Sequence, residues 1–335
     1  MPWKGARDPY LIWLSEVILQ QTRVEQGWAY FERMRERWPR VQDLASATEE
    51  EVLKMWEGLG YYSRARNLHA TARAVVDAYG GAFPPSYEAL VKLKGIGPYT
   101  AAAIASFAWN MPHAVVDGNV IRILARVFGT STPMDTTEGK RTFHQLADQL
   151  LDPAKPAAFN QAMMDLGALV CRPLEPLCGQ CPLSAFCFSK KHNCAREFPR
   201  KSRKPKRRQR HFVYLEIHAR NGLYIKRRSG KDIWKHLYEL PLIETHKPVK
   251  TSRHLQTTNE WKRWFGNAKP ALRLSTPITH ELTHQRIVAR FGEVRLNEDF
   301  CLHTDEDWIL VEKNELAQYP FPRLIQMHLE QIGLI

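Results

Sequence analysis

The hydrophobic pattern of this chain changes its period at a strongly basic run, and this change limits the folds available to it. Before the run, from Tyr10 to about Gly167, apolar residues recur every three or four positions, as in "YLIWLSEVILQ" and "NLHATARAVVDAY". After the run, "FVYLEIHARNGLYIKRR" alternates on both sides of Asn221-Gly222, a pair typical of a type I′ hairpin turn. The pattern therefore predicts an all-α domain followed by an α+β domain.

The basic run itself predicts where the two domains meet. Residues 200–210, "RKSRKPKRRQR", contain eight Lys or Arg and no acidic residue. A solvated linker is the ordinary role of such a run, although it would also lie against phosphates if DNA were nearby. We expect a helical domain over 1–195, a basic linker over 196–210 and the second domain over 211–335. At 335 residues the chain is long enough for each domain to bury a core.

The charge of the chain favours a polyanionic partner. It has 48 Lys and Arg against 35 Asp and Glu, a formal net charge of +13, and such an excess is most often found in proteins that bind nucleic acid. No apolar run approaches the length of about 18 residues that a membrane span needs, and no signal peptide opens the chain. We therefore expect no membrane partner, and a cytoplasmic monomer that is associated with the nucleoid if its source is bacterial.

Four of the six cysteines lie in one short segment, "CRPLEPLCGQCPLSAFC", residues 171–187. Such crowding is not typical of a secreted disulfide framework, so we expect reduced thiols that are available to a metal. Structural zinc sites usually combine two C-x-x-C knuckles, and here only the middle pair forms one. A single irregular loop suits an iron–sulfur cluster better, with zinc and unligated thiols as the alternatives. The four candidate ligands are Cys171, Cys178, Cys181 and Cys187.

The segment "LKGIGPYTAAAI", residues 93–104, joins two helical patterns through a Gly-x-Gly-Pro turn. Gly95 and Gly97 let the backbone turn tightly and approach a ligand, and the N-terminus of the following helix offers unpaired N–H groups to a phosphate. A lone G-x-G is more often an ordinary connection. Ser86 as an N-cap, the flanking helices and the net charge nevertheless favour a DNA-binding helix-hairpin-helix over 86–107.

Two carboxylates are candidates for chemistry. Glu16 lies among the aliphatic residues of "IWLSEVILQQT", so we expect it to be partly buried, and burial raises the pKa of a carboxyl group toward the range useful for proton transfer. Asp117 begins the helical segment "VVDGNVIRILAR", where a capping aspartate is common. One protonated and one charged carboxyl group can break a glycosidic bond through an oxocarbenium-like state.

The chain thus combines a four-cysteine loop, a helical hairpin followed by Asp117, and a buried Glu16. In this combination it resembles the endonuclease III superfamily of base-excision DNA glycosylases, and within it the adenine DNA glycosylases of the MutY type. The resemblance covers nearly the whole chain. It is strongest in "SEVILQQT", "GLGYYSRARNL", "GIGPYTAAAI", "VVDGNVIRILAR", "FNQAMMDLGALVC" and the cysteine segment. It implies an enzyme that hydrolyses the N-glycosidic bond of adenine mispaired with 8-oxoguanine or guanine in double-stranded DNA, with a 4Fe–4S cluster on the four cysteines. A related thymine mismatch glycosylase and a non-catalytic damage-binding protein are the alternatives.

The resemblance also implies a catalytic role for four residues. Glu16 would protonate the flipped adenine at N7 and then handle the attacking water, while Asp117 would stabilise, or transiently bond, the sugar cation. Asn119 and Tyr99 would position the acid and brace the cation. Members of the superfamily that also cut the strand have a lysine at the position of Tyr99, and a phenol cannot form a Schiff base. The resemblance therefore implies a monofunctional enzyme.

Further positions would contact DNA. Gln161 would meet the hydrogen-bonding edge of adenine, and Gln21 and Tyr61 would enter the base stack beside the mismatch. The segment "HELTH", residues 280–284, falls where the family has a Phe-Ser-His loop that reads 8-oxoguanine, with Leu and Thr here in place of Phe and Ser. The other implied DNA-binding and pocket residues are Trp3, Lys4, Thr22, Gly95, Gly97, Thr283 and His284.

The second domain resembles the C-terminal domain of the same glycosylases, which is similar to Nudix hydrolases. A Nudix metal site needs an Arg-Glu-x-x-Glu-Glu cluster, and none follows "RRSGKDIWKHLYELPLIE" in this chain. We therefore expect a Nudix-like lesion-recognition domain without phosphohydrolase activity.

Overall fold

The computed structural model describes residues 5, 7–202, 207–296, 300, 302–303 and 307–335. The chain forms two compact units, one of residues 1–47 and 67–204 and the other of residues 48–66 and 205–335. This division differs from the sequence-based boundaries at one place, because the helical segment 48–66 packs with the second unit.

Helices dominate the chain up to the basic run, and no strand occurs among the described residues there. The helices are α1 (Pro9–Leu19), α2 (Val24–Arg37), α3 (Val41–Ser46), α4 (Glu49–Met55), α5 (Ser63–Tyr79), α6 (Tyr87–Lys92), α7 (Pro98–Trp109), α8 (Gly118–Phe128), α9 (Thr137–Leu150), α10 (Pro156–Asp165) and α11 (Phe188–Lys191). A π-helical turn, Leu166–Val170, leads from α10 into the cysteine segment.

Side-chain caps fix where the helices that carry the site begin. The Asp8 side chain accepts a hydrogen bond from the backbone N–H of Tyr10 at the start of α1, where Pro9 is the first helical residue. Ser86 caps α6 as expected, by accepting from the N–H of Ala89.

Between α7, α8, α9 and α10 lies an apolar core that includes Val115, Val116, Val120, Leu124, Phe143 and Met164.

The turn between α6 and α7 requires its first glycine. Gly95 has φ +80°, and a Cβ atom built on it would lie 2.6 Å from the Cβ of Asn67. Any other residue would therefore meet both backbone strain and a clash at this position. Gly97 is the N-cap residue of α7, so the turn leads directly into a helix N-terminus, as the sequence predicted.

The described residues of the second unit form an eight-stranded sheet in the order β3-β2-β1-β7-β5, with β4 paired to β1, β6 to β7 and β8 to β2. β1 and β7 pair in parallel, and the other pairs are antiparallel. The strands are β1 (Arg208–Ala219), β2 (Gly222–Arg227), β3 (Tyr238–Glu239), β4 (Leu242–Thr245), β5 (Leu272–Leu274), β6 (Ile278–Glu281), β7 (Gln285–Arg295) and β8 (Trp308–Glu312).

Both faces of β1 are buried, which explains its long apolar run. Phe212 and Tyr214 contribute to a core that also includes Leu324, Ile325 and Leu329 of helix α14 (Arg323–Gln331). The alternate residues Val213, Leu215 and Ile217 contribute to a second core with Leu255, Trp261, Trp264 and Phe265 of α12 (Ser252–Gln256) and α13 (Asn259–Phe265). The predicted α+β class is confirmed, since a helix layer covers each face.

The predicted hairpin forms, but its turn lies one residue earlier than expected. Ala219 already pairs with Gly222, so Arg220 and Asn221 make the turn, and Arg220 has φ +50°. Gly222 is needed for a different reason. A Cβ atom there would lie 2.8 Å from the side chain of Leu310 and from the carbonyl oxygen of Val311 on β8.

Among the described residues, no helix has the length and apolar character that a membrane crossing requires.

Candidate active site

A cleft of about 710 Å³ in the first unit collects the four catalytic candidates and four of the DNA-binding candidates that the sequence singled out. They come from three places: the end of α1, the turn before α7 and the start of α8. The cleft is lined by Glu16, Gln21, Thr22, Gly95, Gly97, Tyr99, Asp117 and Asn119, together with Gln20 and Met164. The fold therefore brings the hairpin, both carboxylates and the two polar residues around them into one site.

Glu16 is a buried acid, as its aliphatic neighbours predicted, with 3% of its surface exposed. Burial is the main cause that raises its pKa to about 7; a hydrogen bond with Tyr99 lowers the pKa, and the charge of Asp117 raises it further. Its Oε1 atom has no hydrogen-bond partner in the described part of the chain. A carboxyl group with this pKa is protonated in a large fraction of molecules at neutral pH and can donate its proton.

Tyr99 is a neutral neighbour of Glu16. Burial, followed by the charges of Glu16 and Asp117, raises the pKa of its phenol well above the usual value. The phenol therefore stays neutral and donates its hydrogen bond to the Glu16 carboxyl group. It offers neither a negative charge nor an amine to the cleft.

Asp117 has a different environment, although burial raises its pKa as well. Its Oδ1 accepts hydrogen bonds of 2.8 Å from the backbone N–H groups of Asn119 and Val120, and its Oδ2 accepts one of 2.7 Å from the Asn119 side chain. These bonds and the charge of Arg122 offset part of that rise, and the net pKa stays above the usual aspartate value. Because three donated hydrogen bonds favour its ionised form, Asp117 is the candidate carboxylate of the site and Glu16 the candidate proton donor.

Arg122 is a site residue that the sequence reasoning missed. Its Nη2 donates to the Asn119 side-chain oxygen at 2.8 Å and to the Gly167 carbonyl oxygen at 2.7 Å, and its Nε donates to the Cys171 carbonyl oxygen at 2.7 Å. A continuous chain of hydrogen bonds thus joins Asp117 to the cysteine segment. The available signal was its position one turn into a helix that begins at a candidate catalytic residue.

The four cysteines line one cavity, together with Ile123, Val127, Leu166, Val170, Leu177 and Leu183. Arg126 donates from Nη1 to the Cys171 sulfur at 3.3 Å and to the Arg172 carbonyl oxygen, and from Nη2 to the Pro173 carbonyl oxygen. Burial, followed by the charges of the other three thiols, raises the pKa of Cys178. The thiols are thus close enough to interact in a largely aliphatic cavity beside a buried cation.

This donor set fits an iron–sulfur cluster. In the described part of the chain, no three His, Cys, Asp or Glu side chains converge as a single metal ion would require. A cubane cluster has no such requirement, because each thiolate binds a different iron and the four sulfurs surround a larger volume. The Arg126 guanidinium would offset part of the negative charge of four thiolates.

Gln161 does not line the cleft. It lies on α10, as Met164 does, but its Nε2 donates to Asp165 Oδ1 at 3.0 Å. Trp3 and Lys4, which the resemblance places in the adenine pocket, lie outside the described residues.

A second candidate site lies in the second unit, in a cavity of about 570 Å³. Leu282, Thr283 and His284 form the tight turn between β6 and β7, and the last two are exposed. Tyr61 lines the same cavity, and its hydroxyl lies 2.6 Å from Thr283 Oγ1. The fold thus joins Tyr61 and Thr283, which the sequence analysis had assigned to separate roles.

Models of known protein families match both the helical part and the sheet-containing part of the chain. Residues 14–149 match the model of the HhH-GPD superfamily of base excision DNA repair proteins, and residues 212–331 match the NUDIX domain model. The adenine DNA glycosylase of Mus musculus is 35% identical over 89% of this chain and 68% of its own length. That of Buchnera aphidicola from Schizaphis graminum is 33% identical over 76% of this chain and 73% of its own length. The Homo sapiens enzyme is 47% identical, over 56% of this chain and 36% of its own length.

Solved structures match the helical part. A thermostable thymine-DNA glycosylase superposes with a TM-score of 0.53 at 30% identity, covering 57% of this chain and 88% of that one. A non-covalent endonuclease III–DNA complex superposes with a TM-score of 0.50 at 23% identity, covering 56% of this chain and 86% of that one. At 23% identity, the similarity to the endonuclease III complex shows only that the two proteins share a fold.

Proposed function

The chain belongs to the adenine DNA glycosylase family of base excision repair, and from this premise we propose that it removes adenine paired with 8-oxoguanine or guanine in double-stranded DNA. One observation carries the proposed mechanism. Glu16 is a buried acid with a pKa of about 7, and it lines the same cleft as the hydrogen-bonded carboxylate of Asp117. A proton donor and a separate anion are the two groups that hydrolysis of a glycosidic bond requires.

In this mechanism Glu16 gives its proton to N7 of the flipped adenine. The bond between C1′ and N9 then breaks, its electron pair leaves with the base, and a positive charge develops on the sugar. Asp117 stabilises this cation, while Asn119 holds the Asp117 carboxylate in place through its 2.7 Å hydrogen bond. Glu16, now ionised, takes a proton from the water that attacks C1′, which restores the acid.

Tyr99 limits the enzyme to base removal. Its phenol braces Glu16 and has no amine that could form a Schiff base with the sugar. We therefore propose a monofunctional glycosylase whose products are free adenine and an abasic site.

Other residues position the DNA. The turn at Gly95 and Gly97 would bind a backbone phosphate at the N-terminus of α7. Gln21 and Tyr61 would enter the base stack, and Thr22 would support the DNA beside Gln21. Gln161 would exchange its hydrogen bond with Asp165 for one with the edge of adenine, and Trp3 and Lys4 would complete the pocket.

The rate of base release should fall at both alkaline and acid pH. The donor is the protonated form of Glu16, which is lost as the pH rises through a pKa of about 7. The single-turnover rate should therefore fall on the alkaline side. It should also fall on the acid side, where protonation removes the charge of Asp117. A rate that keeps rising through pH 8 would contradict the role of Glu16 as the acid. The residual rate of a Glu16→Gln variant should not show this fall at alkaline pH, the alkaline limb of the profile.

Cys171, Cys178, Cys181 and Cys187 would hold a 4Fe–4S cluster. When bound, the cluster would cross-link the loop that follows α10, which precedes the basic run in the sequence, and would help to order a surface that contacts phosphate. We expect about four irons per chain after anaerobic purification. Replacing Cys194, which lies outside this set, by serine should leave the iron content unchanged, whereas Cys178→Ser should lower it. Stoichiometric zinc without iron would contradict the assignment.

Thr283 and His284 would read the base opposite adenine. The lesion differs from guanine at N7 and C8, where it gains an N–H donor and a carbonyl oxygen, so a hydroxyl and an imidazole can sense the difference. Each neutral contact is worth about 0.5–1.5 kcal/mol. We expect Thr283→Ala with His284→Ala to weaken binding of 8-oxoguanine:adenine duplexes far more than that of guanine:adenine duplexes at one fixed salt concentration.

The matched control for this pair is Thr251→Ala with His254→Ala. It makes the same two changes at exposed positions of the second unit, outside the β6–β7 turn. An equal loss on both duplexes would mean that the turn only supports the fold.

The identity of the released base tests the function itself. Duplexes with 8-oxoguanine:adenine, guanine:adenine and guanine:thymine pairs are incubated separately, and the free base is identified by mass spectrometry. We expect adenine from the first two duplexes and no thymine from the third. Release of thymine would favour the activity named for the structurally similar thymine-DNA glycosylase, and release of no base would contradict catalysis.

A further inference from the structure

The turn that presents Tyr61 is held in an unfavourable backbone conformation. Tyr61 has φ +48°, and the two preceding glycines, Gly58 and Gly60, have φ +92° and +71°. A bulky residue keeps a left-handed conformation only where its surroundings impose it. The Tyr61 side chain is 48% exposed, so burial of its own ring holds it only in part.

Arg64 supplies contacts to this turn from inside the second unit. Its side chain is 8% exposed, and its Nη2 donates to the carbonyl oxygens of Leu59 and Gly60, each at 3.2 Å. Its Cζ lies 5.0 Å from the ring centroid of Trp56 and 5.7 Å from that of Tyr61. One guanidinium thus binds the two carbonyl groups that precede Tyr61 and one face of the Tyr61 ring.

The indole of Trp56 also binds the Gly60 carbonyl oxygen. Its Nε1 donates to the Gly60 carbonyl oxygen at 3.0 Å, so this oxygen accepts from both Trp56 and Arg64. At the far end of the tyrosine ring, the hydroxyl lies 2.6 Å from Thr283 Oγ1. The ring is therefore fixed at both ends while its edge remains exposed.

We propose that Arg64 is a positioning residue, which holds the Tyr61 ring in the orientation that enters the base stack. This inference rests on the proposed stacking role of Tyr61. Arginine is required rather than lysine, because only a planar guanidinium can donate to two carbonyl groups while it stacks on aromatic rings. Burial lowers the pKa of Arg64 to about 10, so it remains charged at neutral pH.

The test measures ring insertion directly. The full-length, cluster-loaded protein carries Glu16→Gln, so that the substrate stays intact, and the duplex has 2-aminopurine beside 8-oxoguanine. Insertion of Tyr61 unstacks the probe and raises its fluorescence. Tyr61→Ala should remove this rise. Arg64→Met should reduce it roughly tenfold, and Arg64→Lys should resemble Arg64→Met. Affinity for the same duplex is measured as well, and combining Arg64→Met with Tyr61→Ala should weaken it no more than Tyr61→Ala alone.

Each other outcome has a defined meaning. A full rise with Arg64→Met, while Tyr61→Ala removes it, would overturn the role of Arg64 and leave that of Tyr61 intact. A full rise with Tyr61→Ala would overturn the stacking role and the inference together. Melting temperatures are compared in parallel, because a purely structural role of Arg64 would lower them and would add to the affinity loss caused by Tyr61→Ala. If Arg64→Met does not fold, Arg64→Lys, which keeps the charge and most of the aliphatic stem, gives the same comparison.

Discussion

Glu16→Gln should abolish adenine release while binding of the mispair is retained. The amide has nearly the same shape as the carboxyl group, and it can still accept the hydrogen bond from Tyr99. It cannot transfer a proton to the base, and general acid catalysis is typically worth about 10²–10⁴ in rate. The measurement is the single-turnover rate of base release from an 8-oxoguanine:adenine duplex, with affinity measured on the same duplex.

The control for Glu16→Gln is Glu36→Gln, which makes the same chemical change at an exposed position of α2. It should release adenine at the wild-type rate. If Glu16→Gln lost affinity and rate in the same proportion, the residue would support the shape of the cleft and would not be the acid. Retention of more than about a tenth of the wild-type rate would also contradict the proposal, because such a loss is smaller than proton donation explains.

Asp117→Asn should be nearly as damaging, and it should also change the pH profile. Asparagine is as good an N-cap as aspartate, so α8 should still begin at the same residue. The charge that faces the sugar cation is lost, and preorganised electrostatic contacts of this kind are worth about 10²–10³ in rate. The charge of Asp117 also raises the pKa of Glu16, so the alkaline limb of the variant should move to lower pH.

Asp8→Asn is the matched control for Asp117→Asn, because it makes the same change at the N-cap of α1 in the same unit. It should leave both the rate and the pH profile unchanged. A slow Asp117→Asn variant whose alkaline limb stays at the wild-type pH would contradict electrostatic coupling between the two carboxyl groups.

The burial of Glu16 could be predicted from sequence, because Ile12, Val17 and Leu19 around it on the helix are aliphatic. Its pKa could not be predicted in the same way. Besides burial, the pKa depends on Tyr99 and Asp117, which are distant in sequence and meet Glu16 only through packing of α1, α7 and α8. The contacts of Arg122 could not be predicted for the same reason. Its partners lie far along the chain, in the π-helical turn and in the cysteine segment.

Two features of the second unit show the limits of local patterns. Segment 48–66 has an ordinary helical pattern, and nothing in its period indicates that it packs with residues beyond the basic run. Asn221-Gly222 predicted a hairpin correctly, but Arg220 and Asn221 form the turn, and Gly222 already pairs with β1 where a Cβ atom would clash with β8. In both cases a long-range contact determined what the local sequence left open.

The most direct test of the mechanism removes the proton acceptor from the substrate. A duplex with 7-deazaadenine opposite 8-oxoguanine lacks the N7 atom that Glu16 is proposed to protonate. Single-turnover rates are measured for the wild type and Glu16→Gln on this duplex and on the adenine duplex. We expect the wild type on 7-deazaadenine to be as slow as Glu16→Gln on adenine, and the variant to lose nothing more on 7-deazaadenine. Release of 7-deazaadenine by the wild type at the rate of adenine would contradict proton transfer from Glu16 to N7.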